Sequence, residues 1–347
     1  LVDPDAVPEV RALYYNLHQL SDRHTLFGHQ DNLAYGVHWE AEPGRSDVKE
    51  VCGSYPGVFG WDVSKLGKYS HNIDTVDFKK MQQWIIEAYK MGGVNTISWH
   101  LDNLSSGGDS WDTSESVVHI LPGGKDHAAY KTKLDLFADF LKELKVGFIF
   151  RRPVPIIFRP FHEHTGGWFW WGSKSCTVEQ YKELWRFTVT YLRDEKEVRN
   201  LLYAYSPDVF NDKAHYLERY PGDEYVDILG LDDYHDVGAH GDPAMLTKRL
   251  RMVVELAEEK GKVAALTETG YEAIPKPDWW TGVLLKHIEE DPVARRIAYM
   301  LLWRNDRPDH HYAPYPGHVS ADDFVIFSQH PALLFAGEWK KMYRVSR

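Results

Sequence analysis

The chain has 347 residues, 43% of them hydrophobic and 14% aromatic, and a formal net charge of −11. That acidity disfavours a nucleic-acid or anionic-membrane partner, because such surfaces draw affinity from clustered Lys and Arg. Cys52 and Cys176 are too few for a disulfide framework; the sequence leaves open whether they pair, with free, buried thiols the favoured reading, and no apolar run is long enough to span a membrane.

Eight short apolar runs follow in chain order: Thr25–Asp31, Val58–Val63, Val94–His100, Pro155–Glu163, Leu201–Pro207, Val226–Tyr234, Val263–Thr269 and Ile297–Trp303. Between them lie segments of helical spacing, as in Phe78, Met81, Trp84, Ile85 and Ala88, or Leu250, Val253, Val254 and Leu256. Repeated strand–helix alternation implies parallel pairing with right-handed crossovers, and eight such units predict a closed (β/α)8 TIM barrel, one domain over 1–347. An open doubly wound sheet is the alternative, but Phe27-Gly28-His29-Gln30-Asp31 is not a dinucleotide-binding turn. The opening Leu1-Val2-Asp3-Pro4-Asp5 is no leader, so export implies a signal already removed.

Chemistry in such a barrel gathers at the carboxyl ends of the strands. The runs end on His29 and Gln30, Trp61 and Asp62, Trp99 and His100, Arg159 with His162 and Glu163, Asp232 with Tyr234, Glu268, and Trp303 with Asn305. That ring of polar and aromatic groups predicts a binding face.

Two glutamates stand out. Glu163 enters a loop rich in Gly and Trp, where partial desolvation raises a carboxyl pKa and suits a general acid; the bland alternative is a surface or capping glutamate. Glu268 closes the seventh run, where an inward charge is costly unless used or paired, and suits a nucleophile. Two carboxyl groups about 5 Å apart are what a retaining glycosidase needs. Arg159 is placed to hold Glu268 ionised, or to form a structural ion pair.

His162-Glu163-His164 invites a zinc reading that fails on spacing, since the position four residues after His162 is Gly166, and His310-His311 has no matching carboxylate in sequence. No metal or cofactor is expected. Trp168, Trp170 and Trp171 share one Gly-flanked loop; sugars stack on aromatic faces, whereas Trp170 or Trp171 taken singly could pack on the barrel wall. Trp111, Trp279 and Trp280 are either distant sugar platforms or exposed structural residues.

With Arg159-Pro-Phe-His-Glu163 followed by Gly167-Trp-Phe-Trp-Trp-Gly172, and with Gly230-Leu-Asp-Asp-Tyr234, nearly the whole chain resembles glycoside hydrolase family 26, most closely its β-mannanases. The resemblance implies Glu163 as acid/base and Glu268 as nucleophile, Tyr234 on the nucleophile, Asp232 in its supporting network, and His162 near the sugar or nucleophile. It further implies His100 in the sugar subsite, Trp168 near the cleavage point and Trp303 beneath the sugar ring. Where relatives follow the His100 position with Asn-Pro, this chain has Leu101-Asp102-Asn103. The expected reaction is retaining hydrolysis of internal β-1,4-mannosidic bonds in mannan, galactomannan or glucomannan. Mixed-linkage β-glucan and β-1,3-xylan are alternative substrates, and a non-catalytic sugar-binding barrel is the rival class. The expected setting is a monomer, secreted or periplasmic, acting on a polysaccharide.

Overall fold

The eight apolar runs form one parallel sheet because each is flanked by helices on its outer side and buried along its length. In the computed structural model, which describes residues 1–148 and 151–344, the strands are β1 (Thr25–Gln30), β2 (Val58–Asp62), β3 (Val94–Ser98), β4 (Ile156–Arg159), β5 (Leu201–Tyr205), β6 (Ile228–Asp233), β7 (Val263–Thr269) and β8 (Tyr299–Leu302). Neighbours in the chain are neighbours in the sheet, and β8 closes onto β1 with Leu26 opposite Tyr299 and His29 opposite Leu302. The (β/α)8 barrel is thus present. A short strand, Leu333–Leu334, adds to β1 from outside. Residues 149, 150 and 345–347 of the expected 1–347 domain lie outside the described residues.

Alternation divides the core. Leu26, Val58, Val94, Ile157, Leu202, Ile228 and Val263 cluster with Val10, Leu13, Leu17 and Leu20 of the helix Pro8–Ser21, which closes the amino-terminal end of the barrel. The alternate residues, such as Phe27, Phe59, Ile97, Phe158 and Leu229, pack against the outer helices. Those helices start where side chains satisfy orphan amides: Asp77 accepts from Lys79 and Lys80 before Phe78–Lys90, and Thr177 with Gln180 forms a capping box before Val178–Thr190.

Several strands are shorter than their apolar runs. β4 ends at Arg159, so Glu163 sits four residues into a loop rather than on the strand. That loop turns sharply, with Phe161 at φ 49° and Glu163 at φ 53°, a region L-residues rarely occupy. β7 carries an irregularity: its pairing with β6 shifts between Leu266 and Glu268, so that Asp232 lies opposite Glu268.

Candidate active site

The shift in β7 decides where Glu268 points. Strict alternation would send Glu268 to the same side as Leu266, toward the helices; the extra residue Thr267 turns it back into the barrel mouth. There Glu268 meets Arg159 of β4, whose other terminal nitrogen donates to Asp232 Oδ2 at 2.7 Å and to Ser206 Oγ at 3.2 Å. Tyr234 donates its hydroxyl to the second oxygen of Glu268 at 2.8 Å, and Thr267 donates to Asp232 Oδ1 at 2.6 Å. Burial opposes the Arg159 charge, but Asp232 and Glu268 overcome it and push its pKa up. Burial raises Asp232 well above the usual carboxylate range despite Arg159.

Glu163 approaches from the opposite wall. An oxygen from each of Glu163, Asp232 and Glu268 lies within 4.8 Å of the others. A retaining glycosidase needs its two carboxyl groups about 5 Å apart, whereas an inverting one needs room for a water between them. Trp168 donates its indole N–H to Glu163 Oε2 at 2.7 Å. Burial, then the charges of Glu268, Asp232 and Asp208, raise the pKa of Glu163 well above normal; the Trp168 hydrogen bond works the other way and is outweighed. The same three carboxylates could contact a cation, but the Arg159 guanidinium bridges two of them and already supplies the counter-charge.

The loop that presents Glu163 is fixed carbonyl by carbonyl. Tyr181 donates to the Phe161 carbonyl at 3.0 Å, Trp171 to that of His162 at 2.8 Å, and the Glu163 amide donates to Ser206 at 2.8 Å. Trp170 donates to the Leu101 carbonyl at 2.8 Å. Both indoles are fully buried, so Trp170 and Trp171 scaffold the loop and only Trp168, 40% exposed, presents a free face.

His162 lies edge-on to His100 with ring centroids 4.6 Å apart, and its buried Nδ1 has no partner among the described residues. Burial, with His100 and Arg159 nearby, pushes its pKa well down, so it is neutral. His100 differs because Asp62 accepts from its Nδ1 at 2.8 Å; burial alone would lower its pKa, yet Asp62 raises it. Trp303, half-buried, faces His100 at 6.1 Å. These contacts gather the nine sequence-predicted site residues at the carboxyl ends of the strands.

Other expectations need correction. Trp279 and Trp280 are fully buried, Trp280 against Phe27, Phe324 and Phe327, so neither is a platform nor exposed. Trp111 is 48% exposed and stacks on His100 at 5.3 Å. His310 does meet a carboxylate, Glu272, at 2.6 Å, because the loops after β7 and β8 fold together. Cys52 and Cys176 are unpaired but only partly buried. Sequence reading also passed over Asp208, which ends the apolar run of β5 by the same rule that found Glu163; burial raises it to about 6 beside the glutamates. Tyr312, packed edge-on to Tyr234 at 5.6 Å, comes from the loop after β8 and left no comparable signal.

A parallel barrel with one buried, arginine-held carboxylate and one desolvated carboxyl at retaining distance defines a two-carboxylate glycosidase site. The family model described as Glycosyl hydrolase family 26 matches residues 2–308. The chain belongs to that family. It is 38% identical over 323 residues to a mannan endo-1,4-beta-mannosidase of Bifidobacterium adolescentis, covering 87% of this chain but 32% of that protein. Among solved structures, a GH26 beta-mannanase from Bacteroides ovatus superposes with a TM-score of 0.92 at 45% identity over 98% of both chains. A modular endo-beta-1,4-mannanase from Cellulomonas fimi gives 0.91 at 38% identity over 100% of this chain and 80% of the other. The chain spans about a third of the length of the Bifidobacterium relative.

Proposed function

We propose that this chain hydrolyses internal β-1,4-mannosidic bonds of mannan-type polysaccharides with retention of configuration. The observation that carries the reading is the approach of Glu163 to Glu268 within 4.8 Å, one carboxyl desolvated and the other held by Arg159 and Tyr234. Glu268 attacks the anomeric carbon while Glu163 protonates the departing oxygen. Glu163, now ionised, takes a proton from water, whose oxygen displaces Glu268 and releases the sugar. Arg159 and Tyr234 fix the attacking carboxylate, and Trp168 orients Glu163. The names of the family relatives support mannan as the polymer. Since an insoluble or viscous polymer does not enter a cell, we place the action outside the cytoplasm, secreted or periplasmic.

The test is reducing-sugar release from mannan, lichenan and β-1,3-xylan side by side, with the anomer of the first product read by NMR. Mannan should be cleaved fastest, giving the β-anomer first and oligosaccharides of mixed length early. Faster cleavage of lichenan or xylan, or first release of the α-anomer, refutes the reading.

A further inference from the structure

A cavity of about 680 Å³ lies at the end of the barrel away from the glutamates, walled by residues 337–344. Tyr343 donates its hydroxyl to the Gly93 carbonyl at 2.6 Å, just before β3, and Met342 is buried with Leu13 and Leu17 of the helix that closes the amino-terminal end. Lys90, Arg152, Lys340, Lys341 and Arg344 converge on the cavity, with Tyr89 and Trp339 between them. Among the described residues, no Asp or Glu lines it.

The backbone that carries these cations is pinned. Asn16 donates to the carbonyls of Lys341 and Met342, both at 3.0 Å, and accepts from the Trp339 indole at 3.3 Å. Gly92 and Gly337, left-handed at φ 82° and 80°, bring two backbones together, for a Cβ on Gly92 would stand 3.3 Å from the Gly337 Cα. The acids nearby are turned elsewhere. Glu338, the one carboxylate of residues 333–344, accepts from the Phe335 amide at 2.6 Å, and Glu9 reaches Arg152 alone, at 3.6 Å. Lys90, Lys340, Lys341 and Arg344 make no ion pair among the described residues, whereas Lys213 sits between Glu255 and Glu259 and Arg251 between Glu255 and Asp291. Lys90 has a local reason, the carboxyl end of its helix; the other three have none.

Like charges gathered in one concavity repel, and in a chain of net charge −11 acidic partners were abundant. The concavity therefore calls for an anion from outside. A single carboxylate is satisfied by one arginine fork, whereas a phosphate group carries more than one charge and three acceptor oxygens, enough for forks and ammonium groups together. The volume is that of a small-ligand site and exceeds what one ion needs. We propose that this cavity binds a multivalent phosphate-bearing anion through Lys340, Lys341 and Arg344, with Lys90 and Arg152 completing the ring of charge. The acidity of the rest of the chain does not cancel the attraction, because charges more than about 8 Å away are screened at physiological ionic strength. Glu163 and Glu268 stand at the other end of the barrel, so the bound anion leaves the cleft open. If the phosphate belongs to a lipid surface, the catalytic mouth faces outward from it.

The test measures equilibrium binding of inorganic pyrophosphate, and co-sedimentation with phosphatidylglycerol vesicles against phosphatidylcholine vesicles. Polygalacturonate serves as a polyanion without phosphate. The unmodified chain is compared with Arg344→Ala and with the double variant Lys340→Ala, Lys341→Ala. Pyrophosphate, phosphatidylglycerol or both should bind, at least about tenfold more weakly in each variant, the worth of one charge-assisted hydrogen bond. Binding of pyrophosphate alone assigns a free phosphate; binding to phosphatidylglycerol but not phosphatidylcholine assigns a lipid headgroup. The three side chains are exposed, so Tm without ligand should not change. Binding of neither phosphate probe overturns the proposal, as does binding that both variants leave intact, or polygalacturonate held as tightly as the phosphate probes.

Discussion

At the scale of single residues, the two glutamates are separated chemically by what surrounds them. Glu268 is held by a guanidinium and a phenol, whereas Glu163 has one indole N–H and three carboxylates nearby. A general acid with a raised pKa is lost as pH rises through that value, so it sets the basic limb of the kcat/KM profile. Asp208 is one of the groups holding Glu163 up. In Asp208→Asn that repulsion is gone, and the basic limb should move to lower pH. Glu163→Ala should lose about a thousandfold in kcat/KM on mannan, keep its Tm, and recover on an activated aryl substrate when azide is added. A glycosyl azide of retained configuration is the product to look for; normal mannan hydrolysis by this variant would remove Glu163 from the chemistry.

At the scale of elements, the loop after β4 shows how a strained turn is kept in place. Its left-handed residues at Phe161 and Glu163 are unfavourable by themselves, and Tyr181, Trp171 and Ser206 hold the adjoining backbone. Trp171→Phe keeps the ring packed against Phe169 but leaves the buried His162 carbonyl unpaired. It should lose about 1–3 kcal/mol in urea unfolding, with a fall in kcat on mannan as Glu163 loosens. An unchanged unfolding midpoint would show that this hydrogen bond does not support the loop. The strand-end rule applied to the apolar runs located this loop but put the strand's end at Glu163, four residues beyond Arg159 where β4 stops. Apolarity continues through Phe158 and Phe161, and no sequence pattern marks where a chain turns left-handed without glycine.

At the scale of the whole molecule, the barrel separates stability from chemistry. The helix Pro8–Ser21 inserts Leu13 and Leu17 into the end of the barrel away from the glutamates. Leu13→Ala should therefore cost about 2–5 kcal/mol of stability through the cavity it leaves. Its kcat on mannan below the melting transition should match that of the unmodified protein. A kcat loss at full folding would mean that the two ends are coupled.

By itself the sequence determined the eight strands, their parallel order and the residues gathered at one end, because period, strand–helix alternation and chain connectivity are local or topological facts. The Arg159, His162, Glu163 and Glu268 quartet was legible for the same reason: each stands where an apolar run breaks. Only the tertiary structure decided which tryptophan keeps an exposed face, since Trp168 and Trp171 share one loop and differ only in what packs over them. Only it showed that His100 is held by Asp62, that a residue inserted at Thr267 turns Glu268 inward, and that Tyr312 backs Tyr234. These depend on the register and packing of segments far apart in the chain, and burial, charge and hydrogen-bond partners are settled only once those segments meet.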